Sequence, residues 1–362
     1  DFEGSAMTGS RIYVIAEAGV NHNGEKAKAF ELIDIAAAAG ADAVKFQTFD
    51  AERLVAASAP KAAYQKERTD AQESQLAMLK RLELPREWHE ELQQHARVKG
   101  IEFLSTAFDL QSLDFLQGLN LPKYKIPSGE ITNGPLLWAF ANTGKPLILS
   151  TGMATLGEVE QALAVVLHGR THDAPPSSME EVWRGWYFSR IRELQGVVTL
   201  LHCTSQYPTP LSEVNLLAMD TLRDAFKLDV GYSDHTEGTV VSVAAAARGA
   251  TVIEKHFTIS RDLPGPDHKA SLEPEELCLL MREVRAVEQL LGDAWKCPQR
   301  SEWDTRGAGR QVLVASNPIA QGERYTAQNI GTARAGKGIS AMEYWDALAW
   351  RADRKLDPGE AL

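Results

Sequence analysis

Short apolar runs recur along the chain, each closing on Gly, Ser, Thr, His or an acidic residue and each followed by a stretch long enough for a crossover helix. Eight stand out: IYVIAEAG (12–19), AVKFQTF (43–49), IEFLSTAF (101–108), YKIPSGE (124–130), PLILSTG (146–152), VVTLLHCT (197–204), DVGYSDH (229–235) and TVIEKHF (251–257). Runs so uniformly hydrophobic predict parallel strands covered on both faces. Eight strand–helix units of this kind predict an α/β fold, a closed (β/α)8 TIM barrel. Between them KAKAFELIDIAAAAG (26–40) is strongly helix-forming, with Gly40 placed to end it; 156–168 and VVSVAAAARGA (240–250) read the same way. Helical spacing over 273–291 predicts the element that closes the barrel.

Two segments break the alternation. Residues 50–81 are charged and partly helical, suited to a lid or a subunit contact, and 172–190 (HDAPPSSMEEVWRGWYFSR) predict a peripheral insertion before strand six. From Gln311 onward, brief apolar runs are punctuated by NPIAQGERYTAQNI and ARAGKGIS, which predict a small β-rich module rather than more barrel. The expected organisation is a barrel over 11–295, a linker over 296–309 and a small domain over 310–362.

Composition narrows the function. The 362 residues are 44% hydrophobic and 24% charged, an ordinary globular balance, and 38 Lys plus Arg against 49 Asp plus Glu give a net charge of −11. That field repels polyanions, so neither nucleic acid nor an anionic membrane is an expected partner, while a small anion can still bind where lysines and backbone N–H groups concentrate. Cys203, Cys278 and Cys297 are odd in number and lack zinc-site spacing, which predicts a reducing, cytoplasmic setting. No apolar window approaches a membrane span. The polar start DFEGSAMTGS predicts no signal peptide, and Met7 is a candidate start. No strand-linked GxGxxG pattern announces a dinucleotide.

In a barrel, side chains at the C-terminal ends of distant strands converge on one face. Glu17, Lys45 and Gln47 sit at such ends, and either bind a charged, oxygen-rich substrate or form a buried structural ion pair. Thr106, Lys125, Ser128, Glu130, Ser150 and Thr151 add a surface for oxygen atoms; local capping is the alternative for each hydroxyl. His235 and His256 close neighbouring strands, where two imidazoles can hold one divalent ion and leave room for water and a substrate oxygen. His202 either orients a ligand or fills the barrel top. Cys203 reads as a packed thiol, and Lys255, beside His256, falls on the opposite strand face and does not demand Schiff-base chemistry. LHCTSQYPTP offers Ser205 and Tyr207 near the same face, and Asp267 in GPDHKASLEP suits sugar hydroxyls or an amide nitrogen.

EAGVNHNG, KFQTF, STAFD, YKIPSGE, LSTGM, LHCTSQYPTP, GYSDHT, EKHFT and PGPDHKASLEP, in this order, resemble the sialic acid synthase family over most of 11–356. The resemblance implies a TIM barrel followed by an antifreeze-like (SAF) domain, in a swapped homodimer whose small domain caps the partner's site. It implies a synthase-type transferase that joins phosphoenolpyruvate to an N-acylated sugar aldehyde. Lys45, Lys125, Ser128, Ser150 and Ser233 match phosphoenolpyruvate-binding positions, with Gln47 and Thr106 lining the site. Ser205 stands where some members carry a larger amide, so its phosphate contact needs a bridging water. His235 and His256 match the metal pair, for Mn2+ or Mg2+. Glu17, Tyr207 and Asp267 match positions around the sugar or reacting centre, Glu130 an acidic catalytic position, and Arg334 the small-domain arginine that reaches the neighbouring subunit's sugar. The preferred acceptor on the motifs alone is N-acetylmannosamine, giving N-acetylneuraminate. The alternative is 2,4-diacetamido-2,4,6-trideoxymannose, giving N,N′-diacetyllegionaminate. A binding-only homologue and a Schiff-base aldolase are the competing classes.

Overall fold

The computed structural model describes residues 11–55, 65, 69, 73–188 and 191–362; the N-terminal stretch with Met7 and parts of the 50–81 and 172–190 segments lie outside the described residues. Eight parallel strands form one sheet: β1 (Tyr13–Gly19), β2 (Ala43–Thr48), β3 (Glu102–Ala107), β4 (Tyr124–Ile126), β5 (Leu147–Ser150), β6 (Val198–His202), β7 (Asp229–Asp234) and β8 (Val252–His256). The order β3-β2-β1-β8-β7-β6-β5-β4 leaves β3 and β4 at its two ends, packed side by side, so the barrel is nearly closed. The sequence boundaries shift mainly at β4, which stops at Ile126 because Pro127 leads into the 3-10 turn Ser128–Glu130.

Strand alternation sorts the residues. Val14, Ala16 and Ala18 of β1 face the surrounding helices and join the main apolar core, while Ile15 belongs to a second cluster with Ala43, Leu104, Ile148, Leu201 and Val252. That second cluster plugs the barrel interior. Two residues further along the same faces come Glu17, Lys45, Thr106, Ser150, Cys203 and Glu254, so a polar layer rests directly on the apolar plug. The register sets Glu17 beside Lys45 on one side and beside His256 on the other.

The helix Lys26–Ala39 ends at Gly40 in the left-handed conformation, whose N–H caps the last turn. The helix Leu156–Thr171 begins with a Thr155/Glu158 capping box and runs a turn longer than its sequence pattern suggests. In the 172–190 insertion a helix, Met179–Phe188, lies against it, with Trp186 Nε1 donating to Glu160 Oε1 at 2.9 Å.

The chain divides into two compact units between Gly292 and Asp293. The second has its own core of Leu313, Ala315, Ile319, Tyr325, Ile330, Ala347, Ala352 and Leu356. In it β9 (Val312–Ala315) pairs antiparallel with β10 (Ile330–Ala333). Among the described residues no helix is long and apolar enough to cross a membrane.

His89 begins the helix His89–Lys99 inside the main unit, fully buried between the Pro85 carbonyl (3.1 Å) and Thr48 Oγ1 (2.8 Å). Burial lowers its pKa to about 4, and the helix N-terminus also disfavours a cation there. The unfolded chain takes up that proton near 6.5, so the contribution to stability is complete above pH 6.5 and is lost as pH falls toward 4. Denaturant unfolding at pH 7 and pH 5 should differ by on the order of 2 kcal/mol from this ring alone. In His89→Gln that part of the pH dependence should disappear, and an unchanged slope would reject the assignment.

Candidate active site

A cavity of about 370 Å³ opens at the C-terminal ends of the strands. Its lining includes Glu17, Lys45, Gln47, Thr106, Lys125, Ser128, Glu130, Ser150, Ser205, Tyr207, Ser233, His235, His256 and Asp267. These residues come from every strand end and meet because each occupies an inward position or the loop just beyond it. Arg334 belongs to the second unit, where it follows β10 and is exposed.

The floor is a buried charge network. Lys45 Nζ stands 2.7 Å from Glu17 Oε2, 2.7 Å from Thr106 Oγ1 and 3.6 Å from Glu254 Oε2. Lys125 Nζ donates to Glu254 Oε1 at 2.9 Å, and Ser233 Oγ donates to the same oxygen at 2.8 Å. Gln47 Nε2 reaches Glu17 Oε1 at 3.2 Å. Burial pushes the Glu17 carboxyl up to about 7, against the pull of Lys45. Burial also works to raise Glu254, yet Lys125 and Lys45 outweigh it and hold that carboxyl well below the usual range. For Lys45 burial opposes the charge, and Glu17 with Glu254 more than restores it.

Glu254 is the residue that sequence reasoning missed. Its signal was present: in VIEKH it shares a strand face with His256, two positions on. The neighbouring Lys255 falls on the opposite face, fully buried 3.1 Å from Asp234 and donating to the Thr236 carbonyl at 2.5 Å, away from the cavity. His202 also takes a structural position, its Nε2 2.8 Å from the Val214 carbonyl and its ring against Tyr232. Thr151 satisfies the Leu201 carbonyl at 2.9 Å. Cys203 is packed 3.1 Å from Ser128 Oγ, and burial pushes its thiol up, away from nucleophilic use.

His235 and His256 face each other with ring centroids 5.7 Å apart. His235 Nδ1 lies 2.7 Å from the Thr204 carbonyl, which fixes the proton there and turns the Nε2 lone pair to the cavity, where Tyr207 Oη donates at 2.9 Å. His256 Nδ1 is buried with no hydrogen-bond partner. Burial depresses both imidazoles, His235 to about 4, so both present neutral nitrogens. This donor set fits a divalent ion. Among the described residues no group of three or more His, Cys, Asp or Glu has metal-holding geometry, so the histidine pair is the set that would hold it. Ser150 Oγ is likewise buried without a partner on the same floor. Asn133 Nδ2 donates to Glu130 Oε2 at 2.7 Å and orients that carboxylate at the cavity edge. Asp267 is carried by a loop latched through Ser271 Oγ, which donates to the Asp267 carbonyl at 2.7 Å.

Fold and site together define a class: a barrel enzyme with a charged, histidine-bearing cavity at its strand ends. The NeuB family profile matches residues 32–296 and the SAF domain matches 310–362. The chain belongs to the NeuB family of phosphoenolpyruvate-dependent, sialic-acid-synthase-like sugar-condensing enzymes. It is 47% identical over 352 residues to the N,N′-diacetyllegionaminic acid synthase of Campylobacter jejuni, covering 97% of this chain and 99% of that relative. To the N,N′-diacetyllegionaminic acid synthase of Legionella pneumophila it is 43% identical over 359 residues, covering 99% and 94%. Among solved structures it is similar to the N-acetylneuraminic acid synthetase of Leptospira borgpetersenii in complex with citrate, with a TM-score of 0.66 and 32% identity over 82% of this chain and 90% of that one. These findings correct the preferred acceptor: the two legionaminic acid synthases are markedly more similar to this chain than the N-acetylneuraminic acid synthetase is, which overturns N-acetylmannosamine and N-acetylneuraminate. The motifs carry the resemblance to the family as a whole and do not by themselves separate the two acceptors.

Gly152 closes the floor beside the serines, where its N–H also receives Ser128 Oγ as acceptor at 3.0 Å. A Cβ there would meet Ser205 Oγ and stand 2.7 Å from Cys203 Sγ and 2.8 Å from Ser128 Oγ. Ser128 and Ser205 can rotate away while Cys203 is buried, so Gly152→Ala should shift all three and cost some stability. The expected result is a KM for phosphoenolpyruvate raised by about tenfold, with a melting temperature within about 4 °C of the parent. Steady-state kinetics and a thermal melt check both; an unchanged KM would remove the serines from the donor site.

Proposed function

We propose that the enzyme condenses phosphoenolpyruvate with 2,4-diacetamido-2,4,6-trideoxymannose and water, giving a legionaminate-type acid and phosphate. The observation that carries this reading is the meeting of Lys45, Lys125 and the unpartnered Ser150 with the two-imidazole pair on one cavity floor. The acceptor assignment rests on the similarity to the two legionaminic acid synthases.

Lys45 and Lys125 balance the phosphate and carboxylate of the donor, while Gln47, Thr106, Ser128, Ser150 and Ser233 fix its orientation. Ser205 reaches the phosphate through a water. Tyr207 and Asp267 hold the acceptor, and Arg334 serves the neighbouring subunit's N-acyl group in a swapped homodimer. A divalent ion on His235 and His256, Mn2+ or Mg2+, supplies Lewis-acid polarisation of the aldehyde oxygen when bound. The enol carbon C3 bonds to the aldehyde carbon, and water adds at C2. Phosphate then leaves with its bridging oxygen as the C2 ketone forms. Glu130, oriented by Asn133, positions and deprotonates the water; Glu17, held near 7, is suited to exchanging a proton with it at neutral pH. Lys255 is committed to Asp234, which favours this chemistry over a Schiff-base aldolase. The three free cysteines accord with a cytoplasmic setting.

A condensation panel with phosphoenolpyruvate, Mn2+ or Mg2+, and either acceptor tests the proposal through phosphate release and product mass. The diacetamido sugar should give the faster reaction and a condensed acid; no phosphate with either sugar would sink the reading. In His256→Ala, metal content by atomic emission and condensation rate should fall together, the rate by about 100-fold or more. Unchanged metal content would remove His256 from the ligand set.

A further inference from the structure

The cavity has two chemically different sides. Its floor is the charged layer, whereas the side rising beside β2 and β3 presents the apolar side chains of Leu54, Val55, Leu79 and Phe108, with Gln65 and Gln75 lining the cavity from the same segment. All four are half-buried, and Leu54, Leu79 and Phe108 pack on a small cluster that includes fully buried Met78. The wall is built in advance of any ligand. Its helices, Ala51–Leu54 and Gln75–Leu82, are capped by the side chains of Asp50 and Ser74, and two ties join the segments: Lys80 Nζ to Glu52 Oε1 at 2.5 Å, and the Ala51 N–H to Glu83 Oε1 at 2.7 Å.

Nothing in the donor calls for this surface. Phosphoenolpyruvate carries charge at both ends, and the lysines and hydroxyls of the floor answer it. An acceptor whose aldehyde carbon stands over the donor's C3 must send its remaining carbons up and away from that floor. A sugar tail ending in CH2OH that met Leu54, Leu79 and Phe108 would give up water against carbon, and those three side chains offer it no partner. A tail ending in CH3 loses no hydrogen bond and gains contact.

We infer that the wall of Leu54, Val55, Leu79 and Phe108 is a specificity determinant that selects acceptors with a C6 methyl over those with a C6 hydroxymethyl. The inference rests on the proposed condensation and deepens it by assigning the choice of acceptor to residues outside the floor. An apolar surface rejects an added hydroxyl only modestly, so the expected preference is about ten- to a hundredfold in kcat/KM.

The test uses a matched pair, N-acetylmannosamine and its 6-deoxy counterpart, which differ in one oxygen. The parent enzyme should favour the 6-deoxy sugar by that factor. Leu79→Asn and Leu54→Asn should each cut the ratio by about tenfold and leave the KM for phosphoenolpyruvate unchanged, with a lowered melting temperature because both side chains pack on the Met78 cluster; Leu79→Ile should retain the ratio. Equal losses toward both sugars, or an unaltered ratio in both Asn variants, would overturn the inference. Competition by the two corresponding alditols, which lack the aldehyde and cannot react, reads the same selectivity without turnover. Selective alditol binding without condensation would keep the wall and remove the proposed function. Condensation without selectivity would keep the function and remove the wall, and the absence of both would remove both.

Discussion

A charged layer on a dry support constrains everything else in this molecule. Lys45, Lys125, Glu17 and Glu254 are all at most 5% exposed and rest on the plug formed by Ile15, Ala43, Leu104, Ile148, Leu201 and Val252. Isolated charges at such depth cost several kcal/mol each, and only mutual pairing makes the layer tolerable. Glu254 is its keystone, since one carboxylate answers both lysines and Ser233. The arrangement leaves two cations poised at the bottom of a cavity without an excess of positive charge when no ligand is present. An incoming anion therefore meets preset donors and has little reorganisation to impose on them.

The strand ladder provides the precision this layer needs. Glu17 lies in register between Lys45 and His256, so the charge network and the histidine pair share a backbone frame. Backbone hydrogen bonds along β1 fix both at once, and a slip of one residue would turn every inward charge toward the helices. Placing the site on strands rather than on mobile loops makes its geometry a consequence of folding. The elements that lie beyond the strands do different work: the Ser128–Glu130 turn presents two groups at once, and the Pro264-to-Ser271 loop delivers Asp267 to the rim.

Much of this was legible in the sequence because a period-2 pattern with polar ends is a local signal. Lys45 and Gln47, or Ser233 and His235, declare their common face by spacing alone. Glu254 escaped because VIEKH offers three ionisable residues in a row, and spacing tells which share a face without saying which is needed. Only the three-dimensional meeting with Lys125, far away in sequence, gives it a purpose. For His202 the sequence leaves two roles open, and its parity on β6 decides between them, turning the ring outward to Val214 and Tyr232. The acceptor was illegible for a related reason. The motifs that carry the family resemblance lie outside the short helices of the 50–81 segment, whose apolar residues carry no periodic or motif signal that marks them as ligand-facing.

Floor and wall therefore answer different physical demands, so a change in the wall need not disturb the charge network beneath it. Altering the floor would disturb a buried, coupled charge network, where removal of one partner costs about 3–5 kcal/mol and jeopardises the fold. Altering a half-buried apolar side chain such as Leu79 trades only contact area and hydroxyl desolvation, terms of about 1–3 kcal/mol that change preference without abolishing chemistry. Acceptor choice is thus cheapest to encode at the cavity's side, beside β2 and β3. On the proposed reading, charge at the base of the barrel fixes the reacting carbon, and the wall sorts the distant tail by what it must desolvate.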